Sequence, residues 1–429
     1  MFIKRKHIVI VALVVCLATQ FASLRRLIRF GIPFMASVGK KRRHPHAGAR
    51  DENGHWDYVP DVTLIRRRVL HELGSADSSS YFPLQDPELF KQVCQVPPGF
   101  GDEGLDGYRV LSHVQLNGPN PVPDAETEEF NNTNIFLTPT LPPTTNISDL
   151  LPPRILCAVY TTEKAHEQLQ AIVDTWGWRC DGFFAASTKT VPDLGALDLP
   201  HLGKEEYLNM WQKTRSILAF IFDNYIDEFD YFHVAGDDTY LIVENLRNYL
   251  HLLEALEGGR DTRSLYLGLR TYFVNRKYGW EPPYNLGGPG YILNRIALHR
   301  FVTEALPTCR ADETFPGEDM NVARCFFPMD IFPIDTADVA HRQRFHDWNP
   351  YELAVFVPKK RDIWQQAYEY WAKDHGWRVG LDLVSTQTVA FHHLKSVLSM
   401  KRNHALIYNS CPMGTLMGDR FQRNNTYKV

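Results

Sequence analysis

The 429-residue chain has only seven cysteines and no Cys-x-x-Cys or mixed Cys/His spacing, which argues against a zinc site. It has no internal repeat. Its formal net charge is −4, and no run of Lys and Arg interleaved with aromatic residues occurs outside the N-terminal region, which argues against nucleic acid as a partner. A hydrophobic content of 44% lets the chain bury a large core, as in one large α/β domain with appendages or two smaller domains.

The first thirty residues carry a membrane-targeting pattern. Basic residues at positions 4–6 precede an apolar run over residues 8–24, whose length of about 17 residues just spans a bilayer. The positive flank favours a signal anchor with residues 1–7 in the cytosol and the rest of the chain lumenal. A cleaved signal peptide is the alternative, because the apolar core is short and ends in small residues. We therefore expect a single-pass type II protein of the Golgi or ER membrane.

The cysteines and the glycosylation sequons agree with a lumenal location. Cys16 lies in the apolar run, which leaves an even set of six cysteines. Six cysteines permit fifteen connectivities, so this count leaves the pairing open. Asn-x-Ser/Thr sequons occur at Asn131, Asn146 and Asn424. The six cysteines are Cys94, Cys157, Cys180, Cys309, Cys325 and Cys411.

Residues 25–152 are predicted to form a stem. Its end, at residues 138–153, is rich in Pro and Thr and has no helical or strand period, which is typical of an extended linker. A mixed pattern between residues 62 and 73 is compatible with a short helix. Cys94 suggests that part of the stem folds back on the domain that follows.

From residue 153 the pattern changes to alternating strands and helices, and we expect one lumenal domain over residues 153–429. Crossovers of this length between strands predict an α/β fold with a mainly parallel twisted sheet and helices on both faces. In such sheets ligands bind beyond the carboxyl ends of the strands. Strand candidates lie at 155–160 and 182–187, and helical spacing occurs at 164–176, 204–225 and 244–256.

The stretch that organises the chain is an acidic turn between two apolar runs. Residues 231–234 form a strand candidate that leads through Gly236 to Asp237 and Asp238, before a second apolar run at 240–243. Gly-Asp-Asp-Thr is also good chemistry for an Asx turn. Two adjacent carboxylates at the end of a buried strand would repel each other unless a cation joins them to a ligand, which indicates a divalent metal. Their position at a strand end favours the metal interpretation.

A glycine-rich loop occupies residues 284–291 and leads into a helix predicted from residue 293 or 294. It is not a P-loop, because no Lys-Ser/Thr follows its last glycine. Its three glycines either form an ordinary tight turn or let the backbone approach a ligand closely.

Two later segments offer further polar candidates. Glu318 and Asp319 lie at the start of a predicted helix, where acidic residues also complement the helix dipole. His346 is predicted in a loop after a strand candidate at 329–334. A lone histidine is usually a surface or core residue, so its role depends on its neighbours in the fold.

Seven segments taken together resemble a known family. Each segment is weak alone, but seven in register over residues 154–346 are strong, and residues 389–408 add a weaker echo. They resemble the inverting β-1,3-glycosyltransferase family that contains fringe and the β-1,3-galactosyltransferases, and most of all its core 1 branch. The resemblance implies a GT-A type fold. The segments are RILCAVYT, DTWGWRC, WQKTRSILAF, FHVAGDDTYLIVENLRNYL, NLGGPGYILNRIAL, GEDMNVARCF and RFH.

The resemblance implies a metal centre and a catalytic base. Asp238 and His346 would bind Mn²⁺, and Asp237 would lie against the sugar nucleotide. Oxygen and imidazole ligands with open positions suit an Mn²⁺ ion that bridges the two phosphates of UDP. Asp319 is the implied catalytic base, with Glu318 as its acidic neighbour.

The resemblance also implies a nucleotide and sugar pocket and two disulfides. Aromatic residues beside the glycine loop could stack on a sugar face, whereas Tyr291 is expected to pack in the core. The chain departs from the family pattern at Gly236, where the acidic motif has its first Asp, and at Asp347, where a Pro often follows the histidine. The implied pocket residues are Lys213, Trp176, Gly287, Gly288, Trp280 and Tyr284, and the implied disulfides are Cys157 with Cys180 and Cys309 with Cys325.

The function that the resemblance implies is transfer of galactose from UDP-galactose, with inversion, in β-1,3 linkage to N-acetylgalactosamine on Ser or Thr of glycoproteins. The implied partners are such a glycoprotein acceptor, the membrane and, as a candidate assembly, a homodimer. One alternative is another β-1,3-hexosyl or N-acetylglucosaminyl transferase of the fringe type. A second is a non-catalytic chaperone or lectin-like relative, against which the retained acidic motif, Glu-Asp pair and histidine argue.

Overall fold

The computed structural model describes most of the predicted domain and parts of the predicted stem. The membrane span predicted at 8–24, the three sequons, Trp280 and Cys411 lie outside the described residues. No helix within the described ranges is long and apolar enough to cross a membrane. The described residues are 56, 58–73, 92–94, 114–116, 150–271, 282–338, 340–355 and 380–408.

A six-stranded mixed sheet lies at the centre of the fold. The strands of the described residues are β1 Ile155–Tyr160, β2 Gly182–Ser187, β3 Ala196–Asp198, β4 Tyr231–Gly236, β5 Tyr240–Leu241, β6 Tyr266–Gly268, β7 Arg270–Thr271, β8 Tyr284–Asn285, β9 Tyr291–Asn294, β10 Phe345–His346 and β11 Ala390–Phe391. The central order is β3-β2-β1-β4-β9-β6, in which β1 to β4 are parallel and β9 is antiparallel to both neighbours. This confirms the predicted α/β fold with a mainly parallel sheet.

Two smaller sheets flank the carboxyl end of β4. Strands β10, β11 and β5 form one of them, and β7 pairs with β8 in the other. Because β5 follows the acidic turn directly, the first small sheet brings β10 and β11 next to that turn. This arrangement adds side chains from the C-terminal part of the chain to the predicted site.

Helices alternate with the strands as predicted. The helices at 164–176 and 244–256 are confirmed with small shifts in their ends. The α-helices of the described residues are α1 Leu64–Leu73, α2 His166–Thr175, α3 Met210–Tyr225, α4 Val243–Leu256, α5 Arg295–Arg300, α6 Glu318–Phe326, α7 Pro350–Val355 and α8 Val397–Ile407.

Helix α3 begins at Met210, later than the predicted start at residue 204. The Asn209 side-chain amide donates to the carbonyls of Leu202 and Lys204 at 2.7 and 2.9 Å, which closes a turn in this segment. Gly203 has a φ of 81°, a conformation that favours glycine and interrupts a helix.

The residues after the glycine loop first form strand β9, which the sequence pattern does not reveal, and the helix predicted from residue 293 or 294 is confirmed as α5, which begins at Arg295. Tyr291 to Leu293 are fully buried between β4 and β6. A short buried apolar run of this kind does not distinguish strand from helix by its periodicity, so the sequence alone does not identify β9. The Asn294 side chain then accepts a hydrogen bond from Ala297 N at 3.0 Å and caps α5.

The strand predicted at 329–334 is not formed. Ile334 makes one isolated bridge to Leu267, and Phe327–Met329 is a short 3₁₀ turn. Pro333 lacks the amide hydrogen that a paired strand uses, which accounts for the difference. His346, predicted in a loop, lies instead in strand β10.

Part of the predicted stem packs on the domain. Helix α1 confirms the helix expected between residues 62 and 73, and Ile65 and Val69 on it are buried in the main hydrophobic core. The carbonyl of Val62 accepts from Phe183 N at 2.8 Å. Cys94 is fully buried and disulfide-bonded, as expected for a segment that folds back on the domain.

Both implied disulfides are present. Cys157 and Cys180 are bonded, with 2.02 Å between their sulfurs, and they link β1 to the turn before β2. Cys309 and Cys325 are bonded at 2.03 Å and link α6 to the preceding loop. The second bridge fixes the helix that begins with Glu318 and Asp319.

Candidate active site

The acidic turn lies where β4 ends, as the sequence predicts. Strand β4 stops at Gly236, and the amide of Thr239 closes the turn on the Gly236 carbonyl at 3.3 Å. The Thr239 hydroxyl donates to the carbonyl of Gly288 at 2.6 Å. The turn that carries the two carboxylates is therefore fixed to the glycine loop.

The side chain of Trp176 holds this turn in place through a hydrogen bond. Its side chain is completely buried, and Nε1 donates to the Thr239 carbonyl at 3.1 Å. The indole also packs edge to face on the His233 ring, with the ring centroids 6.3 Å apart. Trp176, implied as a pocket residue, thus acts here by positioning the turn.

Asp237 contacts the residue that follows β1. Its Oδ2 accepts from the Thr161 hydroxyl at 2.6 Å. Burial raises the pKa of Asp237, and the charge of Asp238 adds to this effect, while Thr161 and Lys213 oppose it. Lys213 is buried and donates from Nζ to the Thr161 carbonyl at 2.5 Å and to Glu205 at 2.8 Å. Lys213 therefore lies close to Asp237, as its implied place in the pocket requires.

Asp238 pairs with a histidine that sequence reasoning did not select. Its Oδ1 lies 3.2 Å from Nε2 of His392, whose Nδ1 lies 3.1 Å from Oδ1 of Asp347. Burial would raise the pKa of Asp238, but the hydrogen bond and charge of His392 lower it below its ordinary value. Burial would lower the pKa of His392, but Asp238 and Asp347 raise it to about 9. The imidazole thus bridges two carboxylates.

His346, the implied second metal ligand, lies on another face of the small sheet. Its ring stacks on Phe391 with centroids 5.1 Å apart, and Nε2 lies 3.2 Å from the Thr388 hydroxyl. His392 follows β11 directly and continues its pairing through a hydrogen bond from its amide to the His346 carbonyl at 3.1 Å, so its side chain points to the face opposite that of Phe391. Burial lowers the pKa of His346 to about 3. The structure therefore places His392, rather than His346, against Asp238.

The residues around His392 fit a divalent cation. One ligand atom each from Asp347, His392 and His393 lies within 4.8 Å of the others, and Asp238 contacts His392 from the opposite side. Carboxylate oxygen and imidazole nitrogen are donors that suit Mn²⁺. The pKa of His392, raised to about 9, means that a cation would displace a proton from this ring.

The glycine loop touches both groups of acidic residues. A Cβ added to Gly288 would lie 2.3 Å from Nδ1 of His392, and one added to Gly287 would lie 2.3 Å from Oε1 of Glu318. Both distances are shorter than any real Cβ contact, so only glycine permits this approach. The loop therefore brings the metal-binding candidates and the Glu318–Asp319 pair to one site.

Glu318 and Asp319 begin α6, as predicted, and have different environments. Asp319 accepts from the backbone amides of Gly287 at 2.8 Å and of Met320 at 2.7 Å. Oε1 of Glu318 is buried and has no hydrogen-bond partner among the described residues. Burial raises the pKa of Asp319 to about 6, and burial together with the charge of Asp319 raises the pKa of Glu318 well above its ordinary value. Glu318 is therefore still protonated at pH values at which Asp319 is already ionised.

The aromatic residues near the loop are mostly core residues. Tyr291 is fully buried, as predicted, and packs edge to face with Tyr266 at 5.9 Å between centroids. Tyr284 is also buried, in β8. Trp280 lies outside the described residues, so its predicted stacking role stays a prediction.

The signal for His392 is a second Phe-His pair. The sequence contains Phe345-His346 and Phe391-His392, and both come after the Glu-Asp motif. Strand pairing decides between them, because β11 runs beside β5, which follows Asp238 directly. Leu394 N also donates to the Asp238 carbonyl at 2.9 Å, which holds this segment against the acidic turn.

Comparisons with known proteins agree with the predicted family. The chain is 27% identical over 249 residues to glycoprotein-N-acetylgalactosamine 3-beta-galactosyltransferase 1 of Xenopus laevis, and the matched region covers 56% of this chain and 62% of that protein. It is 31% identical over 147 residues to chondroitin sulfate synthase 3 of Mus musculus, and that matched region covers 33% of this chain and 16% of that protein. The chain thus spans less than two thirds of the length of these curated relatives. No protein-family model matches the chain.

A solved structure is a weaker match. The glycosyltransferase involved in the glycosylation of the major capsid of PBCV-1 is 17% identical, over 58% of this chain and 98% of that one, with a TM-score of 0.30. A TM-score of that size carries no argument about the fold. The similarity in sequence to the two curated relatives confirms that this chain resembles the β-1,3-glycosyltransferase family.

Proposed function

We propose that this chain is a UDP-sugar-dependent β-1,3-glycosyltransferase. The observation that carries the proposal is the meeting of two acidic groups at one glycine loop. Gly288 approaches His392, the partner of Asp238, while Gly287 approaches Glu318 beside Asp319. A displacement at a sugar needs a site for the leaving diphosphate and a base for the attacking hydroxyl. The two ends of the site match these two needs.

The leaving-group end would hold Mn²⁺ through Asp238 and His392, with Asp347 beside them. Bound there, the ion would neutralise the charge that builds on the departing diphosphate. Asp237 and Lys213 lie next to this end and complete the nucleotide side of the pocket. The pKa of Asp238, lowered by His392, keeps this carboxylate ionised and ready to bind.

The base end would accept the proton of the acceptor hydroxyl on Asp319. Its carboxylate is held in place by two backbone amides, and its pKa of about 6 is close to the range in which a general base works best. Glu318, which keeps its proton, can donate a hydrogen bond to a substrate oxygen. Attack from the face opposite the diphosphate inverts the anomeric carbon and gives a β linkage.

We propose galactose from UDP-galactose as the transferred sugar and N-acetylgalactosamine on Ser or Thr of glycoproteins as the acceptor, which would make core 1 O-glycans. The seven sequence segments and the Xenopus relative named above support this choice. We further propose a type II topology in the Golgi membrane through residues 8–24, with a homodimer as a candidate assembly. The two disulfides fit an oxidising lumen.

A second candidate is another β-linking hexosyl or N-acetylglucosaminyl transferase of the fringe type. The similarity to chondroitin sulfate synthase 3, at 31% identity, favours keeping this candidate. A non-catalytic chaperone or lectin-like role is disfavoured, because the acidic turn, the Glu318–Asp319 pair and a histidine meet at one site.

The test is sugar transfer by the purified full-length chain with Mn²⁺. UDP-galactose is offered with benzyl-GalNAc, and other UDP-sugars and acceptors are run in parallel, each with and without the metal. The proposal expects metal-dependent galactosylation of benzyl-GalNAc. Transfer of a different sugar would support the second candidate. If the chain neither transferred a sugar nor hydrolysed UDP-galactose under any of these conditions, an enzymatic role would be rejected.

A further inference from the structure

Tyr160 fills the space of a missing side chain. It ends β1 and lies directly opposite Gly236, which ends β4, and opposite residues of a parallel pair point to the same face. A Cβ added to Gly236 would lie 3.0 Å from Cε2 of Tyr160 and 3.2 Å from Oδ1 of Asp238. The ring thus stands where the family pattern has the first carboxylate of its acidic motif.

The Tyr160 side chain reaches the open part of the site. It is partly exposed, whereas the other five residues of β1 are buried. Its hydroxyl interacts electrostatically with Glu318 and Asp319 at one end of the site and with Asp238 at the other. Although part of its surface is exposed, most of the side chain is enclosed by protein, and this burial, followed by the charge of Glu318, raises the pKa of Tyr160 well above its ordinary value, so the hydroxyl remains a hydrogen-bond donor.

Two buried polar atoms close to Tyr160 lack partners among the described residues. They are the hydroxyl of Tyr291 and Oε1 of Glu318, and both residues interact electrostatically with Tyr160. A buried polar atom without a partner is costly, at about 1–3 kcal/mol, so a ligand that brings hydroxyl groups would relieve that cost. The site beside Tyr160 is therefore suited to a polyhydroxylated ligand.

We propose that the Tyr160 hydroxyl donates a hydrogen bond to the transferred sugar of the UDP-sugar. This inference rests on the proposed function. In an in-line displacement the sugar lies between the leaving diphosphate, here at Asp238, and the base, here Asp319. Tyr160, the last residue of β1, interacts electrostatically with both ends. Gly236 makes room for the ring, so Gly236 and Tyr160 act as a pair: a neutral donor replaces a carboxylate that could only accept.

The test compares UDP with UDP-galactose, because UDP shares the nucleotide and both phosphates of the donor and lacks its sugar. Affinities of the purified full-length chain are measured by calorimetry with Mn²⁺ and without acceptor. Tyr160→Phe removes the hydroxyl and keeps the ring. It should weaken UDP-galactose binding about 2- to 12-fold, the range for one hydrogen bond, and leave UDP binding unchanged. Tyr58→Phe, at an exposed tyrosine of the stem segment, is the matched control and should change neither affinity.

Each outcome has a clear meaning. An equal loss for UDP and UDP-galactose would overturn the inference, because it would place the effect on the diphosphate or on folding. Unchanged affinities for both ligands would also overturn it and would leave the proposed function intact. If the parent chain bound neither ligand, the proposed function itself would fail.

Discussion

At the end of β4, Asp238 has a histidine as its partner, whereas at the start of α6 the hydrogen-bond donors to Asp319 among the described residues are two backbone amides, and Glu318 is its charged neighbour. Charge pairing dominates at the first place and lowers the pKa of Asp238, while burial dominates at the second and raises the pKa of Asp319 to about 6. Similar carboxylates are thereby prepared for different tasks. An ionised group suits a cation, and a group that titrates near neutrality suits proton transfer.

Replacing the proposed base, Asp319, should have the largest effect on sugar transfer. Asp319→Asn keeps the shape of the side chain and removes its ability to accept a proton, so we expect transfer to fall by at least about 10²- to 10⁴-fold. Affinity for UDP with Mn²⁺ should stay close to that of the parent, because Asp238 and His392 are untouched. Turnover and calorimetry measure the two effects.

The matched control for this variant is Glu304→Gln, an acid-to-amide change at a half-exposed residue that pairs with Arg300. It should leave both transfer and UDP affinity unchanged. Near-normal transfer by Asp319→Asn would assign the base to another residue.

The two Phe-His pairs offer a direct test of the metal end. His392→Ala should lower Mn²⁺-dependent UDP affinity by at least about 10- to 100-fold, the loss that even outer partners of a metal ligand cause. His346→Ala should leave that affinity unchanged and lower the free energy of unfolding by about 0.5–3 kcal/mol, because His346 is buried against Phe391. The reverse pattern would return the metal role to His346.

The pH dependence of transfer should separate the two ends. With the pKa of Asp319 at about 6, the base is ionised above that pH and becomes protonated as the pH falls through it. We therefore expect kcat to decline below about pH 6 by up to tenfold per pH unit. A kcat that stays flat down to pH 4.5 in the saturated enzyme would contradict this assignment.

Adding one methyl group at each glycine should disturb one end at a time. Gly288→Ala pushes on His392 and should weaken Mn²⁺-dependent UDP binding, while Gly287→Ala pushes on Glu318 and should reduce kcat with less effect on UDP. Overpacking costs about 1–3 kcal/mol, so we expect losses of about tenfold. Identical kinetic effects of the two variants would show that the loop acts as one unit.

The sequence predicts those features that depend on neighbouring residues. The buried strands β1, β2 and β4, the acidic turn after β4 and the acidic start of α6 all follow from apolar runs and the residues that end them. A buried run of four residues has no decisive period, so the sequence alone does not separate strand β9 from the helix that follows it.

Pairings between distant segments cannot be read from the sequence in the same way. The choice between His346 and His392 depends on which strand lies beside β5, and that is a property of the folded sheet. The contact between Tyr160 and Gly236 depends on the register of β1 and β4, which are separated in the chain by two α-helices and two other strands. The role of Gly236 therefore depends on Tyr160, the residue opposite it on the neighbouring strand.

The measurement that tests the central claim most directly is the structure of the product made from UDP-galactose and benzyl-GalNAc with Mn²⁺. Proton NMR reports both the linkage position and the anomeric configuration. A site with a leaving-group end at Asp238 and His392 and a base at Asp319 predicts a β-1,3-linked galactose, formed only with the metal and lost in Asp319→Asn. An α-linked product, or a β-1,3 product formed equally well by Asp319→Asn, would contradict it.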